Sequence, residues 1–348
     1  MFDFINVILK KDMGIYNLTD EFFCLYLDKI NKTTDNNILV VVNSIYEANK
    51  LYNSLNNYND NTLLFPMDDF LTSEALASSP DLKITRLETL NAISKEKNRI
   101  IITNLMGYLR YLPTRSNYKK FILSLKIGDC ISPKSIVEKF ISMGYYRDTI
   151  VNKTGEIGVR GFVVDIFPID EEYPIRIEFF DDEIESIRYF DPETQKSIKK
   201  IDSVEIYPFF EFLTDKKVDE DFFGKQKYYS EYEEVCNISQ FIGNCITFFK
   251  DYDQLKVSYL SILEEIVEFK KNKDINYNGD YIFHFNELNE EFPIYYMSLN
   301  NMSSANYINE MVDYDVKTIS NFHEDPEQIN SFIRKQIKNK KTVIICLK

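Results

Sequence analysis

The chain has 348 residues, 44% of them apolar and 28% charged, a globular balance with length enough for two or three cores. Its 41 lysines and arginines stand against 55 aspartates and glutamates, a net charge of −14, which excludes a general nucleic-acid coat because phosphates demand a surplus of cations. No third of the chain is basic: residues 1–115 carry 12 basic and 14 acidic side chains, 116–208 carry 13 and 17, and 209–348 carry 16 and 24.

The first third reads as strand and helix in alternation. Ile38-Leu39-Val40-Val41-Val42 is a short apolar run, as in a parallel strand buried on both faces. Asn43 and Ser44 can cap a following helix, in which Ala48, Leu51, Tyr52 and Leu55 recur at helical spacing. Leu63–Phe65 predicts a second strand closed by Pro66, Thr85–Ile93 a helix, and Arg99–Thr103 a third strand. Repetition at this pitch implies βαβ units.

The middle third changes character. Ser132-Pro133 predicts a helix start, Ile136, Val137, Phe140 and Ile141 its apolar face, and Gly144 its end. Three β runs follow, Val159–Phe167, Ile175–Phe180 and Ile184–Phe190, separated by acidic turns that point to an antiparallel meander. Beyond Pro208 a helix is expected over Leu255–Phe269, with Leu255, Tyr259, Leu263 and Ile266 on its buried side. Gln328–Lys338 reads as a helix and Thr342–Leu347 as a strand, an odd place for a domain to end. The switch from βαβ to meander and back divides the chain at 1–115, 116–208, 209–325 and 326–348. An α/β domain in two parts thus encloses an α+β domain, and the last stretch opens a following domain or linker.

The usual chemical signatures are missing. Neither Gly-x-x-x-x-Gly-Lys-Ser/Thr nor Gly-x-Gly-x-x-Gly occurs, and Ile15–Ile30, ahead of the first clear helix, holds no glycine for a phosphate cradle. His284 and His323 stand far apart without a ligand pattern, so no metal is expected. The acidic pairs Asp68-Asp69, Asp181-Asp182 and Glu264-Glu265 read as solvated turns and helix faces. Five scattered cysteines form no Cys-x-x-Cys pair, which favours a reducing compartment. With no basic leader and no apolar run of about 20 residues, a cytoplasmic protein is expected. A binding module is favoured over an enzyme, with no catalytic residue and no cofactor.

Arginines interleave with the meander. Arg160, Arg176 and Arg188 fall on successive predicted strands, with Arg147 just before them. Strict alternation puts Arg160 with Phe162, Val164 and Ile166, and Arg176 with Glu178 and Phe180. Such a cluster suits docking to an acidic surface by bidentate pairing. Equally, each arginine can simply pair with a cross-strand carboxylate.

These residues also carry a resemblance. Phe65-Pro66, Ser73-Glu74, Ser79-Pro80-Asp81 and Arg86-Leu87-Glu88-Thr89-Leu90 lead into Met143-Gly144-Tyr145-Tyr146-Arg147, Gly155-Glu156, Val159-Arg160-Gly161 and Asp165-Ile166-Phe167-Pro168. Pro174-Ile175-Arg176-Ile177-Glu178-Phe179-Phe180-Asp181, Ser186-Ile187-Arg188, Phe190-Asp191 and Thr194-Gln195 continue it. Over residues 60–210 the chain resembles the N-terminal, UvrB-homology module of the bacterial transcription-repair coupling factors. It departs at Phe162, where a small residue is usual.

The resemblance implies a split, degenerate helicase-type domain of Rossmann-like form, without a phosphate loop. It would enclose an α+β domain with an antiparallel sheet that contacts UvrA and brings nucleotide excision repair to stalled RNA polymerase. Arg147, Arg160, Arg176 and Phe180 match its motifs and are the candidates for UvrA contact. RNA-polymerase binding and ATP-driven translocation on duplex DNA would belong to domains beyond Lys348, leaving this chain a non-catalytic adaptor. Two alternatives stand beside it: a UvrB-type nucleotide- and DNA-binding repair fragment, and an autoinhibitory domain that contacts the C-terminal part of its parent.

Overall fold

The computed structural model describes residues 7–68, 80–95, 97–217, 226–272, 277–298, 306–316, 325–341 and 343. Strands β1 (Met13–Tyr16), β2 (Asn37–Val42), β3 (Thr62–Phe65) and β4 (Ile100–Asn104) alternate with helices Asp20–Thr33, Ile45–Asn56 and Pro80–Lys95. Next come β5 (Leu112–Pro113), β6 (Leu123–Lys126), helix Pro133–Ser142, β7 (Tyr146–Arg147), β8 (Glu156–Arg160) and β9 (Val163–Ile166). They are followed by β10 (Ile175–Phe180), β11 (Glu183–Phe190), β12 (Ser197–Ile201) and β13 (Ser203–Ile206). The order closes with β14 (Val235–Cys236), β15 (Cys245–Lys250), helix Tyr252–Asn272, β16 (Pro293–Met297), β17 (Glu310–Asp313) and helix Pro326–Lys338.

Seven strands in the order β17-β1-β16-β15-β2-β4-β3 form a parallel sheet. Its central contact pairs β2 with β15, about 200 residues later in the chain. All six residues of β2 are buried, and alternation sends them to opposite faces. Ile38, Val40 and Val42 pack with Phe23, Leu27, Ala48 and Leu51 of the first two helices. Leu39 and Val41 face Leu87, Leu90, Tyr108, Leu255 and Tyr259, and that cluster runs on into the underside of a second sheet. The second sheet has the order β12-β11-β10-β9-β8-β7, antiparallel except for its last pair, β7 with β8.

Several local expectations are corrected. The glycine-free stretch over Ile15–Ile30 holds the end of β1 and most of a helix. Thr19 caps that helix by accepting from the Phe22 N–H at 3.2 Å, and Phe23, Tyr26, Leu27 and Ile30 make its buried face. Val159–Phe167 is two strands rather than one, because Gly161 (φ +60°) opens a two-residue turn with Phe162. Ile141 is 45% exposed, one residue past the buried stripe of Ile136, Val137 and Phe140. On helix Tyr252–Asn272, Leu255, Tyr259 and Ile266 are buried while Leu263 is half-buried. The strand expected over Thr342–Leu347 lies outside the described residues apart from Val343, as do Phe70, Ser73, Glu74, Ser79 and His323.

Gly144 ends its helix at φ +94°, where an added Cβ would come within 2.5 Å of the Phe210 Cβ. Gly144→Ala is therefore expected to cost at least about 1–2 kcal/mol from the left-handed backbone alone, read as a lower midpoint in urea unfolding.

The C-terminal ends of parallel strands are where such sheets ordinarily take ligands. Here the chain's own carboxylates occupy the donors. After β2, Ser44 accepts from the Glu47 N–H at 3.2 Å, and the Glu47 carboxylate accepts from the Asn43 N–H at 3.1 Å. After β1, Asp20 binds Lys250 at 3.0 Å and Lys50 at 3.2 Å. These pairs outweigh the burial that opposes them and hold the Asp20 carboxyl below its ordinary pKa.

A buried ion triad joins the chain before the second sheet to the chain after it. Arg86 Nε meets Glu211 Oε1 at 2.8 Å, and Arg110 Nη2 contacts the other carboxylate oxygen. All three side chains are under a tenth exposed. Burial lowers the pKa of Arg110 more than Glu211 restores it, yet a guanidinium that starts above 12 remains a cation at neutral pH.

Candidate partner-docking face

The second sheet has one apolar and one polar side, and its register assigns residues to each. Ile157, Val164, Ile166, Ile175, Ile177 and Ile187 are buried toward the core. On the opposite side Asp165 pairs with Gly158 and Arg176, and Arg176 with Arg188. The turn at Gly161-Phe162 sets Arg160 opposite Val163. Odd-numbered residues of β9 thereby share a side with even-numbered residues of β8. Arg160 consequently stands with Asp165, and not with Val164 and Ile166 as alternation through one strand requires.

Asp165 is 2% exposed and takes both arginines. Arg176 grips it with Nε on Oδ1 at 2.7 Å and Nη2 on Oδ2 at 2.8 Å, and Nη2 also donates to Gln195 Oε1 at 3.0 Å. The guanidinium carbon of Arg176 lies 4.4 Å from the Phe190 ring centre. The bond to Asp165 raises the Arg176 pKa against the smaller opposing effect of burial. Arg160 reaches Asp165 with Nη2 alone, at 2.9 Å, and its side chain is 55% exposed. One arginine is thus locked into the sheet and the other stands out from it.

A second carboxylate continues the polar side. Glu178 accepts from Ser186 at 2.7 Å and from both terminal nitrogens of Arg188. Desolvation works against its charge, but these donors outweigh it and hold Glu178 below the ordinary carboxylate pKa. Phe180 lies at the end of β10 and is 75% exposed, before the turn at Asp181, which takes φ +56°. Phe162 in the neighbouring turn is 59% exposed, and its carbonyl accepts from the Phe179 N–H at 2.9 Å. Arg147 is exposed on β7, beside β8.

Of the four sequence candidates, the fold brings Arg160 and Arg176 together on one carboxylate. Phe180 stands further along β10, and Arg147 is outside the Asp165 cluster. Asp165 and Gln195, which the sequence offers only as parts of motifs, hold Arg176 in this cluster. An aspartate between Val164 and Ile166 in a strand was the available signal, because a buried carboxylate requires partners.

A family model described as the UvrB interaction domain matches residues 123–212. A transcription-repair-coupling factor of Staphylococcus aureus (strain bovine RF122 / ET3-1) is 36% identical over 183 residues, which make up 52% of this chain and 16% of that protein. One from Bacillus subtilis (strain 168) is 28% identical over 205 residues, 58% of this chain and 17% of the relative. The match therefore spans about one sixth of these relatives' length. The polar sheet face lies inside the span that matches the UvrB interaction domain, and over about half of its length the chain is similar to transcription-repair-coupling factors.

Proposed function

We propose that the chain is a non-catalytic adaptor that docks UvrA through residues 116–208 and thereby recruits nucleotide excision repair to stalled RNA polymerase. The observation that carries this reading is that the UvrB interaction domain match covers the strands bearing Arg147, Arg160, Arg176 and Phe180. In this reading 1–115 and 209–325 are the two parts of a degenerate, helicase-type domain that enclose the docking domain. The parallel sheet, built from strands on both sides of the meander, supports that division. Contacts with RNA polymerase and duplex DNA, and ATP-driven translocation, belong to the remainder of a longer parent.

A UvrB-type nucleotide-binding role is disfavoured by Glu47 and Asp20, whose carboxylates sit at the strand ends where phosphate would be drawn. Calorimetric titration of the purified chain with UvrA tests the proposal. A saturable 1:1 isotherm with Kd of about 1 µM or tighter is expected, and ATP in place of UvrA should give no binding heat. An isotherm with ATP and none with UvrA would overturn the adaptor reading.

A further inference from the structure

The two docking arginines differ in how they are held, and one buried carboxylate makes the difference. Oδ1 of Asp165 is taken by Arg176, while Oδ2 is shared between Arg176 and Arg160. Arg176 has further anchors in Gln195 and the Phe190 ring. Among the described residues, the bond to Asp165 is the one hydrogen bond the Arg160 guanidinium makes. A guanidinium carries five N–H donors. Arg160 therefore keeps an open fork toward solvent while being tethered at one nitrogen. One carboxylate between two guanidiniums also leaves this three-residue cluster with one net positive charge, on an otherwise acidic chain. Gly158, opposite Asp165, places no side chain beside the cluster, and a Cβ there would lie 3.9 Å from that of Asp165.

We infer that Asp165 is a positioning residue for docking: it fixes Arg176 as a strut and orients the open fork of Arg160 toward a carboxylate on the partner. The inference rests on the UvrA reading above and adds to it the partner chemistry and the residue that organises it. A long arginine side chain loses rotamer freedom when it binds. A tether made in the free protein removes part of that cost, so Asp165 strengthens an interface it need not touch.

The test is a double-mutant cycle in the full chain, with UvrA affinity and thermal unfolding measured for each variant. Asp165→Asn is expected to weaken UvrA about fivefold or more, and Arg160→Ala added to it should weaken binding little further, a coupling characteristic of residues acting as a unit. Asp165→Glu should recover part of the lost affinity. A merely structural Asp165 would lower the melting temperature, leave affinity unchanged and leave the full Arg160→Ala effect in place; that result overturns the inference.

Should Asp165→Asn fail to fold, side-chain NMR of arginine-labelled wild-type chain decides. Restricted guanidinium rotation of Arg160 before UvrA is added is expected, and free rotation would refute the tether. Failure of wild-type chain to bind UvrA would instead remove the docking reading. Normal binding that responds to Arg160→Ala but not to Asp165→Asn removes only the positioning role.

Discussion

Replacing Glu211 with alanine is expected to lower the unfolding free energy by about 3–5 kcal/mol, the loss that follows when one member of a buried ion pair is removed. Glu211 is 3% exposed and receives both Arg86 and Arg110. Arg86 also donates to the Pro66 carbonyl at 3.1 Å, and Arg110 lies 4.9 Å from the Phe212 ring centre. Without the carboxylate, two buried guanidiniums would face each other with these weaker partners and the Met67 sulfur, 2.6 Å from Arg110 Nη1. Urea unfolding of the variant checks the figure; a change below about 1 kcal/mol would mean that water compensates the guanidiniums.

The same carboxylate carries a pH dependence of defined sign. Burial raises the pKa of Glu211, but the charges of Arg110 and Arg86 outweigh it, and the net direction is down from 4.5. A carboxyl depressed in the folded state binds fewer protons there than in the unfolded chain. Its stabilisation is complete above its unfolded pKa and is lost as pH falls through the folded one. Glu178, also depressed, contributes with the same sign. The wild-type chain should therefore lose stability on acidification below about pH 4.5, and Glu211→Ala should show a shallower decline.

The second large effect concerns UvrA. Arg160→Ala and Phe180→Ala are each expected to weaken binding at least about tenfold, 1.4 kcal/mol, with melting close to that of the parent. Their side chains are 55% and 75% exposed, so little packing is lost. Arg176→Ala should behave differently. It leaves the buried Asp165 with the single bond from Arg160, and so should lower both stability and affinity. Lys134→Ala, 86% exposed on helix Pro133–Ser142, serves as the control and should change neither. Unaltered UvrA affinity in both Arg160→Ala and Phe180→Ala would remove this face as the site.

The fold was most legible where burial is complete. β2 is apolar at five of its six positions, and β10 alternates apolar and polar residues from Ile175 to Phe179. Both states announce themselves locally. Helix Asp20–Thr33 carries an equally good signal, the Thr19 cap followed by Phe23, Tyr26, Leu27 and Ile30, in a stretch whose lack of glycine is a poor guide to its structure. β16 begins at Pro293, which reads as a strand breaker; its carbonyl still accepts from the Asp12 N–H at 2.9 Å.

The side of the sheet that Arg160 occupies depended on one turn. Gly161-Phe162 fits a two-residue hairpin loop with glycine first, and missing it reversed the parity of everything after it. Glu211 was not legible at all, because Arg86 and Arg110 lie more than 100 residues away in sequence and nothing local distinguishes it from a solvated acid.

Backbone hydrogen exchange of the chain with and without UvrA decides whether UvrA docks on the polar side of the second sheet. Slowed exchange on UvrA binding is expected at the Gly161-Phe162 turn, along β8 and β9 and at the Phe180 end of β10, with the parallel sheet and helix Tyr252–Asn272 unchanged. Protection confined to that helix or to the parallel sheet, with the β8–β10 region exchanging as in the free chain, would contradict it.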